Sequence, residues 1–476
     1  MKPTPQTHSD SSSSLRPGET ARQELTQNLL LAGPLIVVFA GNQMMSLVDT
    51  MIVGHIGPVE LAAVGLGSSL YIVIAIFGIG LVTALDPLAS QAIGAGDPVA
   101  AKRHFRHTTR LSAILTLPLS ILILLLYVPM DSFITDADLI REAFYYTLGR
   151  LPGLLPFLLF IAYRSYLQSL GTTRAAMIAV LSANVLNVPI SLLLAYGDGV
   201  FEYLFGLPLG IGPGLGPMGV GIATSIVGIW EFLYMKRALK KLPDPGPIGP
   251  IAWTGMRKVG RVGFPVGIHL VAEVGVFAAA SVIIGSISTL SLAAHQVAIQ
   301  LASVTFTIAL GVGSATATRV GFAVGRERLD ETRRAGWVGL VTGSSVMACS
   351  ALVFLFFADA LASIMCTGVV VAAAVPLIHI AAVFQVSDGV QIVAAGALRG
   401  AGETKKPMVA NLVGHWLLGL PTGLVLAYLV LTNSEIDQTS GLWWGLTAGL
   451  TVVAIWLTGT FYRLTRTLVK RVDDEG

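Results

Sequence analysis

The chain has 476 residues, 54% of them hydrophobic and 12% charged, with a formal net charge of +3. A soluble protein carries about 25% charged residues. The apolar content excludes a disordered chain, two cysteines exclude a disulfide scaffold, and 52 glycines without a three-residue period exclude collagen, which leaves an integral membrane protein.

Residues 1–25 hold the polar run Ser9–Ser14, lack an apolar signal core and are expected to form a disordered tail. Crossing a bilayer takes about 20 apolar residues per helix. The chain supplies such stretches, free of Asp, Glu, Lys and Arg, at Thr26–Val48, Ala62–Leu85, Leu111–Met130, Ala175–Gly197 and Tyr203–Trp230. Further on come Ala335–Ala358, Ala360–Ser387, Pro407–Ser434 and Gln438–Tyr462. Glu142–Tyr163 tolerates Arg150, and Val262–Thr318, which holds only Glu273, is long enough for two spans with a break at Gly285–Ser291. The expectation is an all-α protein of twelve transmembrane helices. Alternating ten-residue segments, the mark of a membrane barrel, are not what these stretches are. Cys349 and Cys366 are expected to pack as small apolar residues.

Of the 30 Lys and Arg residues, 28 fall in the termini and the even-numbered connections, all but Arg141 and Arg150. The odd connections carry acids: Glu60, Asp131, Asp136, Asp138, Asp198, Glu202, Asp359, Glu435 and Asp437. The positive-inside rule then places both termini in the cytoplasm, and the protein is expected to be multi-pass. The basic residues are topology signals and contacts to anionic lipid, so the positive charge does not point to nucleic acid.

The chain aligns with itself at one fixed offset, the one that lays Gly54 on Gly285. Between Ile52 and Gly94, twelve of 43 positions match, among them Gly54/Gly285, Leu61/Leu292, Gly80/Gly311 and Gly94/Gly325. Leu167/Leu398, Gly171/Gly402, Thr173/Thr404 and Met177/Met408 keep the same offset. Two six-helix lobes follow, 26–239 and 256–468, joined by a proline-rich cytoplasmic linker at 240–255, with a tail at 469–476. Parallel repeats of this kind suit alternating access around a central cavity.

Ionisable groups inside spans mark function by default. With a rise of about 1.5 Å per residue, Glu273 on helix seven and Asp388 on helix ten reach matching heights near mid-membrane, with no Lys or Arg at that depth. Desolvation and mutual repulsion penalise the doubly ionised pair, so it would hold a proton or share Na⁺ with oxygen ligands. It could also attract a cationic substrate, and competition between the two is the physical basis of antiport. Asp49 on helix one is the third candidate. Asn184 and Asn187 on helix five are expected to network with the backbone or Asp49. His269, one turn before Glu273, shares its face, and Gln43, His269, His295 and Gln296 are candidate cavity residues. Asp86 reads as a cap or an acceptor from loop arginines near the end of helix two. Glu231 reads as a lipid-interface or lobe-packing residue, and Arg150 as a snorkelling one. No phosphate loop or paired-histidine zinc helix is present, and the run Gly206–Gly221 follows no strand, so neither an enzyme nor a cofactor is expected.

At these residues the sequence resembles the multidrug and toxic compound extrusion (MATE) family, in its bacterial NorM-like branch. The resemblance is carried by Val48-Asp-Thr-Met-Ile-Val-Gly-His-Ile-Gly57 with Leu61-Ala-Ala-Val64, by Arg164-Ser-Tyr-Leu-Gln-Ser-Leu-Gly-Thr-Thr-Arg174 and by Ala394-Ala-Gly-Ala-Leu-Arg-Gly-Ala-Gly402. It implies a V-shaped, monomeric multidrug efflux antiporter that exports varied, often cationic amphiphiles in exchange for Na⁺ or H⁺. It also implies that Asp49, Glu273 and Asp388 couple the ion, with Glu273 and Asp388 as ligands if the ion is Na⁺, and that Asn184 and Asn187 match the family's helix-five asparagines. Asp86 and Glu231 match no hallmark. The rival reading is a related flippase for lipid-linked saccharides, which would need a cationic cavity for a diphosphate; the one deep basic residue available to it is Arg150.

Overall fold

The computed structural model describes residues 20–133, 136–199, 214–467 and 469–475. The run Ser9–Ser14, Glu202 and the first part of Gly206–Gly221 lie outside the described residues. Among the described residues, twelve helices are long and apolar enough to cross a membrane. In chain order they are α1 (Ala21–Gly54), α2 (Pro58–Gly94), α3 (Pro98–Ser132), α4 (Ala137–Ser169), α5 (Arg174–Tyr196) and α6 (Gly216–Lys240). The second lobe has α7 (Trp253–Ile287), α8 (Thr289–Gly325), α9 (Leu329–Met365), α10 (Val369–Gly400), α11 (Lys405–Val430) and α12 (Glu435–Leu464).

Local chemistry explains where these helices begin and bend. α1 starts at Ala21, inside the segment assigned to the disordered tail, because Thr20 and Gln23 form a capping box: the Gln23 N–H donates to Thr20 Oγ1 at 3.3 Å and the Thr20 N–H to Gln23 Oε1 at 3.0 Å. Asp97 caps α3 ahead of Pro98, and Ser434 caps α12. The break between α7 and α8 shrinks to Ser288, whose extended backbone ends one helix and whose hydroxyl caps the next. α2 bends at Thr83–Ala84, where Pro87 has no N–H for the Thr83 carbonyl; the Asp86 N–H takes that carbonyl at 3.0 Å instead.

Two boundaries differ from expectation. α9 is interrupted by a kink at Phe357 (φ −122°, ψ 23°), two residues before Asp359, and a further helical segment carries Asp359 on to Met365; the turn to α10 is made by Cys366–Gly368 with Gly368 at φ +63°. The regular helix thus breaks beside the acid, while the last turn ends where Cys366 takes an extended conformation and Gly368, in the left-handed region, starts the next helix. α2 continues past Leu85 to Gly94, so Asp86 lies more than two turns inside the helix rather than near its end. Cys349 is exposed on α9 rather than packed, and Cys366 is half-buried.

The two lobes meet where α1 packs along α8 and α7 along α2. The glycines that reveal the repeat make this seam. A side chain at Gly80 would strike the backbone of Gly267, and one at Gly311 would strike Ile36, which is the repeat counterpart of Gly267. A side chain at Gly94 would strike the Phe322 carbonyl, and one at Gly325 the carbonyl of Gln91, the repeat counterpart of Phe322. Each contact thus has a partner in the other lobe, as a pseudo-twofold axis requires, and close backbone approach through small residues is how membrane helices gain packing energy.

Polar contacts reinforce the seam at the end of the bundle where α1 begins and the Lys/Arg-rich connections lie, here termed the basic face. Arg319 on α8 donates from Nε to Glu24 Oε1 at 2.7 Å and from Nη2 to Oε2 at 2.6 Å, both side chains almost wholly buried. Asn28 donates to Thr316 at 3.2 Å, Gln168 to Thr318 at 2.6 Å and Gln91 to the Gly400 carbonyl at 2.9 Å. Asp86, 2% exposed, faces Arg399 of the other lobe at 3.5 Å. Arg164 is buried with its guanidinium 4.9 Å from the centre of the Phe39 ring.

Candidate functional site

Two groups of buried acids lie inside the bundle, one in each lobe. In the first lobe Asp49 of α1 is 3% exposed and saturated with donors. Asn187 Nδ2 donates to Oδ1 at 2.7 Å, Thr224 Oγ1 to Oδ2 at 2.8 Å, and Ser191 Oγ to Oδ1 at 3.4 Å. The sequence pointed to Asn187. Ser191 and Thr224 were missed; Ser191 follows Asn187 by one helical turn, which was the available signal.

Arg150 also belongs to this lobe's interior. Its Nη1 donates to the Tyr146 hydroxyl at 2.7 Å and to Ser68 Oγ at 3.4 Å, and its guanidinium lies 4.5 Å from the Tyr71 ring centre. From there its charge acts on Asp49. It does not snorkel, because three polar and aromatic side chains hold it inside the lobe. Asn184 is not part of the Asp49 network: its Nδ2 donates to the Gly41 carbonyl at 3.1 Å and the Val180 carbonyl at 2.9 Å, tying α5 to α1. Gln43 is half-buried on α1.

In the second lobe Glu273 of α7 and Asp388 of α10 are brought together, close enough for their charges to repel, and both are buried. Gln391 Nε2, from the turn after Asp388, donates to Glu273 Oε1 at 2.6 Å. His269 Nδ1 lies 3.1 Å from the Pro407 carbonyl. A carbonyl only accepts, so Nδ1 carries the hydrogen and, in the neutral ring, Nε2 is a lone pair. That lone pair is 3.5 Å from Glu273 Oε2, a contact that becomes attractive when a proton resides on either group. Among the described residues Asp388 makes no comparable contact: its hydroxyl-bearing neighbour Ser387 pairs with Thr451 at 2.8 Å.

Buried polar atoms without a hydrogen-bond partner among the described residues lie on the helices next to this pair. They are Gln391 Oε1, one turn after Asp388, and, on the part of α11 that packs against α7, both side-chain polar atoms of Asn411 and Nε2 of His415. Leaving such atoms unpaired is unfavourable by about 1–3 kcal/mol each, so this part of the lobe is able to take something small and polar. His415 lies in a π-helical stretch of α11, Leu412–Gly419, the kind of helical irregularity that recurs at functional sites. Gln391, Asn411 and His415 were not identified from sequence. Gln391 could have been found from its position one turn after Asp388; nothing in the sequence singles out Asn411 and His415.

Two of the expected cavity residues have partners inside the second lobe. His295 is fully buried in a relay within the lobe: Trp443 Nε1 donates to its Nδ1 at 3.1 Å, and its Nε2 pairs with Ser281 Oγ at 2.9 Å. It is therefore a core residue, with both ring nitrogens spoken for. Gln296 is exposed on α8. His269 is committed to Glu273 and Pro407, a neighbour of the acid rather than a wall of a cavity. Glu231 is 3% exposed and its carboxylate has no hydrogen-bond or ion-pair partner among the described residues. The lipid-interface reading of that residue fails because its own lobe encloses it.

The MatE family profile matches the chain twice, over residues 34–193 and 265–425. The starts of the two matches, Pro34 and Pro265, stand at the same offset as the internal repeat. The probable multidrug resistance protein NorM of Deinococcus radiodurans is 34% identical over 93% of this chain and 96% of its own length. Multidrug resistance protein NorM of Aliivibrio fischeri is 30% identical over 92% and 94%. Among solved structures, the eukaryotic MATE transporter AtDTX14 superposes with a TM-score of 0.83 at 20% identity, over 95% of this chain and 99% of that one. An outward-facing multidrug resistance MATE transporter of the MOP superfamily gives 0.81 at 19% identity, over 97% and 100%.

Proposed function

Starting from the premise that this chain belongs to the MatE family, in its bacterial NorM-like branch, we propose that it is a secondary-active multidrug efflux antiporter. It exports varied, often cationic amphiphiles in exchange for Na⁺ or H⁺. The observation that carries this reading is the buried Glu273–Asp388 pair, which has no Lys or Arg partner among the described residues and, as its one basic neighbour, the imidazole of His269 beside Glu273. Two neighbouring carboxylates in a low-dielectric interior do not both stay ionised without a counter-charge. Either a coupling cation or a cationic drug supplies that charge, and each expels the other.

The residues divide the work in this reading. Glu273 and Asp388 carry the exchange. Gln391 orients Glu273, and His269 offers a second basin for its proton. Na⁺ would take oxygen ligands from the two carboxylates, with Gln391 Oε1 and Asn411 Oδ1 available nearby; a proton would need Glu273, His269 and Asp388 alone. Asp49, with its three donors and Arg150 close by, is a second coupling group whose occupancy biases the first lobe. The basic face is the cytoplasmic one by charge distribution, and the tight seam there closes the cytoplasmic side in the described state.

The test is efflux of a fluorescent organic cation from everted vesicles, with Na⁺ and pH gradients imposed separately. One gradient drives wild-type efflux. Asp388→Asn, inserted in the membrane at normal abundance, reduces gradient-driven efflux by a factor of at least 100, as expected for a group that carries the exchange. Unchanged efflux by that variant would refute the assignment.

A further inference from the structure

The segment after α12 returns to the lobe seam. Val472, 6% exposed, packs into a pocket walled by Ala84, Leu88 and Leu111 of the first lobe and by Val259 and Val262 of the second. Its N–H donates to Gln91 Oε1 at 2.9 Å, while the same Gln91 donates from Nε2 to the Gly400 carbonyl of the second lobe. Gly402, at φ +87°, lies against Val472 so closely that a side chain there would collide with it.

The next residue repeats this bridging with charge. Asp473 Oδ2 accepts from His104 Nε2 on α3 at 3.1 Å, and Oδ1 accepts from Lys258 Nζ on α7 at 2.7 Å. The two oxygens of one carboxylate therefore hold one lobe each. Arg471 adds a long ion pair to Glu327 after α8, at 3.9 Å. Two consecutive residues thus hold α2 and α3 on one side of the seam, and α7 and the α10–α11 turn on the other.

We propose that residues 471–473 form a clasp that locks the lobes together at the basic face, and that this clasp must release before the transporter can open there. The inference rests on the alternating-access reading above. The seam glycines can separate by rigid-body motion of the lobes, but Asp473 cannot keep both His104 and Lys258 once α3 and α7 move apart. A segment bound to both lobes in one state and to at most one in the other biases the equilibrium by its differential contacts. It therefore sets how readily the basic face opens without touching drug or ion.

The experiment measures inter-lobe distances by pulsed electron spin resonance on the full chain in lipid nanodiscs. Spin labels replace the exposed Arg103 and Lys405, after Cys349 and Cys366 are changed to alanine. Asp473→Asn and Val472→Ser are compared with the otherwise unaltered protein, with and without ethidium as the organic cation. The clasp predicts that each substitution raises the ratio of long to short distances by about 5- to 10-fold, the effect of one lost contact on a balanced equilibrium. If ethidium shifts the unaltered protein while both variants give its distribution unchanged, the clasp is overturned and alternating access stands. If no distance moves in any protein under any condition, the rocking of the lobes fails, and the clasp with it.

Discussion

The acid sites of the two lobes are built on opposite principles. Asp49 receives three hydrogen bonds, from Asn187, Thr224 and Ser191, and the charge of Arg150 acts on it. Glu273 and Asp388 share one donor of comparable quality, the amide of Gln391, and repel each other. The first arrangement supplies donors and a nearby positive charge to its carboxylate, and the second leaves a deficit of positive charge for a ligand to fill. Yet the frame around the two sites is symmetric. The Gly80–Gly267 and Gly311–Ile36 contacts are copies of one another at the repeat offset, as are those of Gly94 and Gly325. At the same offset Asp49 corresponds to Ala280, Glu273 to Asn42 and Asp388 to Phe157. Duplication preserved the packing and not the chemistry, so one lobe's site cannot be inferred from the other's.

That contrast between a shared frame and divergent sites can be broken by substitution. The largest effect on stability is expected in the frame. Glu24→Ala leaves Arg319 buried without its bidentate partner, and removing one member of a buried pair costs about 3–5 kcal/mol. A melting curve in detergent should drop well below that of the wild type; an unchanged curve would show that the pair does not hold the seam.

Asp49→Asn comes next. An amide at this position keeps one acceptor oxygen and puts an NH2 in place of the other, so either Asn187 Nδ2 or Thr224 Oγ1 loses its acceptor, and stability should fall by about 1–3 kcal/mol. Efflux should fall too, while competition between drug and cation at the second lobe's pair persists. Loss of that competition would mean that the two sites act as one unit.

The smallest effect is a pH dependence outside the membrane. The hydrogen bond from His104, aided by Lys258, holds the Asp473 carboxyl well below the usual carboxylate range. A carboxyl whose folded value lies below its unfolded value of about 3.9 adds stability that is complete above that value and is lost as pH falls through the folded one. The stability difference between wild type and Asp473→Asn should therefore shrink as pH falls below about 4. A difference that grows over that acid range would contradict the sign.

The helix count, the repeat and the three acids were legible because each rests on a one-dimensional signal: apolar length, a fixed offset, or a charge in an apolar run. What was illegible depends on which side chains face each other. Glu24 looked like part of a polar tail and Arg319 like a topology signal, because a buried pair 295 residues apart leaves no local pattern. Arg150 looked like a snorkelling residue because Tyr71, Tyr146 and Ser68 come from other turns and another helix. His295 looked like a cavity residue because its partner, Trp443, lies four helices away on α12. Asp359 looked like a loop residue because the chain does break beside it, at Phe357, but one further helical segment follows before the turn at Cys366–Gly368.

Displacement of drug by cation at the Glu273–Asp388 pair is the claim on which the function depends, and equilibrium binding to the purified protein tests it most directly. Fluorescence anisotropy of bound ethidium would be titrated with Na⁺ at fixed pH and with acid at fixed Na⁺. The account predicts that at least one titration releases the dye from the wild type, and that Asp388→Asn abolishes the competition. Dye affinity that stays constant through both titrations in the wild type would contradict it.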